Sequence, residues 1–333
     1  MRTRTPKPCD LTKAFFPVEE QSDIWCEYNG RSLRIPGYKA IIDKDARRTL
    51  SVVSSKYRLV TNLEAFQIAD YVVRTVFEGK KLDDFECYNI LMPQTKGSCR
   101  IDMIIPNNFN KLFGDNKESW TPFVRISNSY NRTMTLRYEI GFCRWICLNG
   151  VIFGQTGISF SITHTGRITH REIDQLVRSA QAQIGSIGSL WAAFEEKMKQ
   201  LKDIALPLSS ALAIYCKVFG IIVKEDTVSE TQKDNLASRA IQIVEASREY
   251  FDEMGNNAYA MMNVMSDFAS FPEWTPSPSQ YVDGYQRKVG KWVDSFLEER
   301  HKPDFNLDTY IGDDYQNTAF FLETLVSGSK IQL

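Results

Sequence analysis

The sequence predicts an α+β fold: an N-terminal mixed antiparallel sheet with one or more helices, followed by an all-helical C-terminal region. Two observations carry that expectation. Tight-turn pairs, Asn29-Gly30, Lys96-Gly97 and Asn149-Gly150, separate stretches of alternating apolar and polar residues in the first half of the chain. At Thr169 the apolar period then changes from two to about 3.6 and stays helical to the end. The expected division is 1–168, an α+β basic domain, and 169–333, a helical acidic region. Residues 1–170 hold 24 Lys and Arg against 17 Asp and Glu, net +7, whereas residues 171–333 hold 16 against 24, net −8.

The elements follow in order. Asp23–Tyr28 and Ser32–Asp43 flank Asn29-Gly30 and read as a hairpin, with a further strand at Thr49–Ser54. Thr61 and Glu64 form a capping box ahead of Phe66, Ala69, Val73 and Val76 at helical spacing, and Gly79 stops that helix. Glu86–Met92 and Ser98–Ile105 make a second hairpin through Lys96-Gly97. Met134, Leu136, Tyr138, Ile140 and Phe142 share one face of a strand whose other face carries Thr133, Thr135, Arg137 and Glu139. In that register Arg144 falls on the apolar face, so a bulge at Gly141 is expected to turn it outward. Ile158, Phe160 and Ile162 mark one more strand. A second capping box, Thr169 to Glu172, opens a long helix to Leu201. Helices over Leu208–Phe219, Glu230–Met254, Asn257–Phe268, Tyr281–Arg300 and Thr309–Val326 follow.

Composition belongs to an ordinary globular chain, 43% hydrophobic and 24% charged with net charge −1. Seven scattered cysteines, an N-terminus without a signal-peptide apolar run and the lack of any apolar segment near 20 residues set the expectation of a reduced, cytoplasmic protein without a membrane span. No phosphate loop, His-Glu-x-x-His or Gly-x-Ser-x-Gly motif is present, so no catalytic residue, cofactor or metal is assigned. Cys143 and Cys147, four apart on a strand, lie about 13 Å apart and are a poor zinc pair even with His164 and His170. Gly154-Gln155-Thr156-Gly157 reads as a turn before it reads as a nucleic-acid clamp, and Asp304, Asp308, Asp313 and Asp314 as a solvated acidic loop.

One segment combines two requirements of nucleic-acid binding. Between Thr121 and Gly166, Arg125, Arg132, Arg137 and Arg144 stand against one acid, Glu139, with Tyr130 and Trp145 as stacking faces. Lys44, Arg47 and Arg48 add a basic loop. Aromatic packing and outward arginines on a half-exposed sheet are the alternative account of the same residues.

The pattern Asn128-Ser129-Tyr130, Arg137, Gly141, Arg144, Cys147 and Asn149-Gly150 resembles the signature of an uncharacterised phage/plasmid-like protein family, domain of unknown function 932. The blocks SSKYRLVTNLEAFQIAD and NAYAMMNVMSDFAS agree with it. The resemblance implies residence in phages, prophages and plasmids and carries no established activity. A strand–strand–helix–sheet unit beside a basic surface is also similar in architecture to Rad52-like single-strand annealing proteins. The expectation is therefore a non-enzymatic, homo-oligomeric protein of a mobile element that binds single-stranded DNA in recombination or replication. The rival is an anti-defence or defence-trigger protein acting on a host defence protein by contact, and a metal-dependent nuclease is a third class.

Overall fold

The computed structural model describes residues 7–106, 110–114, 118–145, 148–152, 159–162, 171–175, 178, 182, 187–224, 227–270 and 278–328. It is α+β, with antiparallel sheets first and helices after, and two compact units. One comprises Thr5–Ile146 with Gln155–Trp191; the other comprises Cys147–Gly154 with Ala192–Leu333. The sequence places its single boundary near 168; the contacts divide the chain at 191 and hand a short earlier segment, 147–154, to the helical unit.

The sheet unit opens with β1 (Val18–Gln21), β2 (Trp25–Tyr28), β3 (Arg31–Arg34), β4 (Tyr38–Asp43) and β5 (Arg48–Ser54). β1, β4 and β5 form one antiparallel sheet, and β2 and β3 a separate two-stranded arm. Asn29 and Gly30, at φ 50° and 72°, supply the two left-handed residues a tight hairpin needs. The expected hairpin across Asn29-Gly30 forms as β2–β3, but the strand expected over Ser32–Asp43 is broken at Pro36-Gly37, where proline stops the ladder and β4 starts a new sheet. Helix α1 (Asn62–Val76) begins at the expected capping box: the Thr61 amide donates to Glu64 Oε2 at 2.7 Å, and the Glu64 amide donates to Thr61 Oγ1 at 3.1 Å.

The main sheet contains β6 (Glu86–Leu91), β7 (Ser98–Ile104), β8 (Asn110–Lys111), β9 (Ser119–Ser129) and β10 (Leu136–Arg144). β10, β9, β7 and β6 lie side by side, and β8 pairs with β9. After β11 (Asn149–Val151), β12 (Ser159–Ile162) pairs with β10. Ile101, Met103, Val124, Ile126, Tyr138 and Ile140 are buried along one face. Against this face lies α1, whose Ala65, Ala69, Val72 and Val73 are fully buried, and the Tyr138 hydroxyl donates to the Ala65 carbonyl at 2.8 Å. Small residues on the helix let it approach the sheet closely.

The opposite face is charged, and it too is buried. The register sets Asp102 of β7, Arg125 of β9 and Glu139 of β10 abreast, with 8%, 1% and 0% of their surface exposed. Arg125 donates to both Asp102 oxygens, at 2.6 and 2.7 Å. The next row carries Arg100, Ser127 and Arg137. The outward polar face expected for β10 is therefore interior at Glu139.

In the helical unit, Ala258–Ser270 is buried at every residue, so its apolar character runs all round rather than in a stripe. Glu230–Met254 and Pro278–Arg300 pack against it. β11 docks here as well: the Gly150 amide donates to Ser270 Oγ at 2.9 Å, and Asn149 Nδ2 to the Tyr250 hydroxyl at 3.1 Å. Two helices of the expected set differ in detail. Leu208–Ser210 is a 3₁₀ turn before the α-helix Ala211–Phe219, and the final helix is interrupted at Gly312 into Leu307–Ile311 and Asp313–Gly328. Thr169 and His170 of the second capping box and the Gly154–Gly157 turn lie outside the described residues.

Removing one member of a buried ion pair strands its partner's charge. Arg125→Ala should lower stability by about 3–5 kcal/mol, and Arg125→Met with Asp102→Leu should recover part of that loss. Denaturant unfolding followed by near-ultraviolet circular dichroism reads both.

Candidate nucleic-acid interface

The guanidinium and aromatic groups expected to grip nucleic acid separate into two sets. Arg125, Tyr130 and Arg144 are buried, at 1%, 0% and 0% exposure, and are corrected from surface contacts to interior groups. Arg125 is held by Asp102, and Arg144 donates to Glu118 Oε1 at 2.7 Å. A guanidinium committed to a buried carboxylate does not exchange it for phosphate without a large desolvation cost. The bulge expected at Gly141 is absent: Ile140, Gly141, Phe142, Cys143 and Arg144 keep an unbroken register with Val124 to Trp120. Arg144 is tolerated inside because Glu118 partners it.

Tyr130 works as a joint. Its hydroxyl accepts from the Asn62 amide at 3.0 Å at the start of α1, and its ring meets Phe16 edge-on at 5.8 Å. Burial pushes its phenol well above the usual tyrosine range, so it stays protonated. Asn128 Nδ2 donates to the Val60 carbonyl at 2.9 Å and to Asn62 Oδ1 at 3.0 Å. Trp145 is half-buried, edge-on to Tyr88 with ring centroids 5.3 Å apart, and Arg137 is half-buried in the charged row.

Lys44, Arg47, Arg48 and Arg132 remain accessible, and the fold draws them to one end of the sheet unit. The tips of three hairpins, β4–β5, β6–β7 and β9–β10, are knitted there. Arg48 Nη2 donates to the Gln94 carbonyl at 2.7 Å, and Lys96 Nζ lies 3.0 Å from Asp43 Oδ2. The Tyr130 amide donates to the Gly97 carbonyl at 2.8 Å, and Ser51 Oγ to the Tyr130 carbonyl at 2.5 Å. A side chain at Gly97 would place its Cβ 2.5 Å from Asn131 Nδ2, so the Asn131 amide would have to move to admit one.

Each tip carries a basic residue in the left-handed region: Arg47 at φ 49°, Lys96 at 54° and Arg132 at 62°. That conformation costs a side-chain-bearing residue roughly 1–2 kcal/mol, and glycine or asparagine meets it more cheaply. Backbone strain concentrated in three neighbouring cations is the kind of outlier from which a functional site is inferred. Arg47 and Arg132 are exposed and have no carboxylate partner among the described residues. Lys44 is 3.3 Å from Glu19, a solvent-exposed pair that competes weakly. Lys96, read from sequence only as a turn residue, belongs to this group.

Asp43 anchors the tips. Its carboxylate is fully buried, accepts from the Ala46 amide at 3.1 Å, and faces both Lys96 and Arg48. Burial acts to raise its pKa, but the Ala46 amide and Lys96 outweigh burial and hold it below the ordinary carboxylate value.

A separate cavity of 650 Å³ lies beside α1, with Arg58, Gln67, Ile68, Tyr71, Arg171 and Asp174 in its wall. Its Asp174 carboxylate accepts from Tyr71 and from Arg178, so that acid is already engaged. Among the described residues no group of three His, Cys, Asp or Glu is placed to hold a metal, and no helix is long and apolar enough to cross a membrane. Cys147, His164 and His170 lie outside those residues.

A family model described as Domain of unknown function (DUF932) matches residues 49–270. The chain belongs to this family. No curated protein and no solved structure matches it. The DUF932 segment begins in β5 and ends with the buried helix Ala258–Ser270, so it contains the Lys96 and Arg132 tips. β1 to β4 and the Lys44–Arg48 loop precede it.

Asp43→Asn should loosen the three tips. A depressed carboxylate pKa gives stability that is present above the unfolded value near 3.9 and is lost as pH falls through the lower folded value. The substitution should therefore cost about 1–3 kcal/mol at pH 7, and the gap to wild type should close in acid. Melting curves at pH 7 and pH 3 check this.

Proposed function

We propose that this DUF932 protein binds nucleic acid by its phosphate backbone at the basic hairpin tips. The observation that carries this reading is the convergence of Arg47, Lys96 and Arg132, all left-handed, with Lys44 and Arg48 at one end of the sheet unit. Arginine forks and lysine ammonium groups on rigid turns offer charge-assisted hydrogen bonds to phosphate oxygens. Rigidity matters, because donors already held in place lose little entropy on binding. With Tyr130 buried, its ring does not stack a base, and the tips alone do not favour one sequence. A role for the protein in recombination or replication of a mobile element, with single-stranded DNA as its ligand, is the biological setting this reading extends to.

Titration of the protein with labelled single- and double-stranded oligonucleotides across salt concentration tests it. Arg47→Asn with Arg132→Asn should flatten the slope of log affinity against log salt by about 0.7–0.9 per lost phosphate contact. The same pair should hold or raise the melting temperature, since asparagine suits the left-handed backbone better. Weaker binding with undiminished stability separates a functional cation from a structural one. No salt-sensitive affinity in the wild type would end the proposal.

A further inference from the structure

We propose that the cavity beside α1 receives one unpaired base, together with its phosphate, from a strand held at the hairpin tips. This rests on the nucleic-acid reading and names the part of the ligand that the tips leave unread.

The cavity, 650 Å³, falls within the roughly 300–1,000 Å³ of sites that bury a small organic molecule, and a mononucleotide is of that size. One wall is a stripe of α1. Glu64, Gln67, Ile68 and Tyr71 recur at helical spacing on the flank beside Ala65, Ala69, Val72 and Val73, which are buried against the main sheet. Val60 and Ile173, both buried, and the half-buried Ile68 give an apolar lining against which a planar base sheds water.

The polar groups of the wall sort by whether they are already committed. Glu64 Oε2 accepts from the Thr61 amide and hydroxyl, at 2.7 and 3.0 Å, and Asp174 accepts from Tyr71 and Arg178. Those two carboxylates are answered within the protein. Gln67 is exposed and has no hydrogen-bond partner among the described residues, so its amide offers a donor and an acceptor to a base edge. Arg171 is exposed without an ion-pair partner among the described residues, and Arg58 adds a second guanidinium; both suit phosphate. Apolar lining, uncommitted amide and guanidinium groups match the face, the edge and the phosphate of one nucleotide.

The place of the cavity beside the tips identifies the source of that nucleotide. The Val60 carbonyl accepts from Asn128 Nδ2 at 2.9 Å, and Arg58 follows Tyr57, whose hydroxyl donates to the Ser129 carbonyl at 2.9 Å. Both wall residues are thus fastened to the end of β9. Arg132 is three residues beyond Ser129, at most about 10 Å of chain, close enough for one strand to serve both. A base in a duplex must leave its stack to enter, a cost that an unpaired base does not carry, so the cavity selects single strands.

Affinities for a single-stranded oligonucleotide and for an abasic strand of the same length, which keeps the phosphates and lacks the bases, test this across salt concentration. Wild type should bind the base-bearing strand about 5–150-fold more tightly, the usual worth of one base held by a protein surface. Ile68→Trp, which fills the cavity, and Gln67→Ala, at an exposed position, should each narrow that ratio without changing the salt slope. Arg47→Asn with Arg132→Asn should do the reverse, flattening the slope and keeping the ratio. A wild-type ratio near one with the salt slope intact overturns the cavity and leaves the tips standing. A clear ratio without a salt slope overturns the tips and leaves the cavity standing. A ratio that either folded variant leaves untouched also overturns the proposal, since the bases are then read elsewhere. No affinity for either strand ends both.

Discussion

The sheet unit depends on a constraint that its hydrophobic core does not impose: charges buried on either face of the main sheet must be matched by partners from elsewhere in the chain. Arg125 sits between Asp102 and Glu139 in a row of alternating sign, and Arg144 is paired with Glu118. Taking a guanidinium out of water is costly unless carboxylates receive it with good geometry, and Asp102 does so with two short hydrogen bonds. The register follows. A slip of one residue would reverse the faces of β9, put Arg125 against α1, and leave Asp102 and Glu139 uncompensated. Hydrophobic alternation and charge matching therefore select the same pairing, which is the consistency that makes one fold win.

That constraint also explains what was legible in the sequence. Capping at Thr61 and Glu64, the Asn29-Gly30 turn, the Lys96-Gly97 hairpin and the helix Glu230–Met254 are local features, decided within a few residues, and the structure has them. The positions of Arg125 and Arg144 were not legible, because their carboxylate partners lie 23 and 26 residues away in the sequence. Alternation assigns a residue to a face; it does not say whether that face meets water. Of the candidate contacts, Lys44, Arg47, Arg48 and Arg132 keep their exposure. Their assembly into one site depends on hydrogen bonds between turns distant in sequence, which is why Lys96 escaped notice.

The residues that carry the family pattern have structural reasons to be there. Asn128 and Tyr130 tie β9 to the first turn of α1, through Asn62 and the Val60 carbonyl. Asn149 and Gly150 reach the Tyr250 hydroxyl and Ser270, the latter closing the block NAYAMMNVMSDFAS. Tyr250 also donates to Asp267 at 3.4 Å, and Gln286 to Ser270 at 2.9 Å, so β11 is fastened to three helices through buried polar groups. Such networks specify a unique packing when satisfied. A pattern built from them identifies the fold more directly than the chemistry, and function has to be sought among exposed residues that the fold holds at a cost.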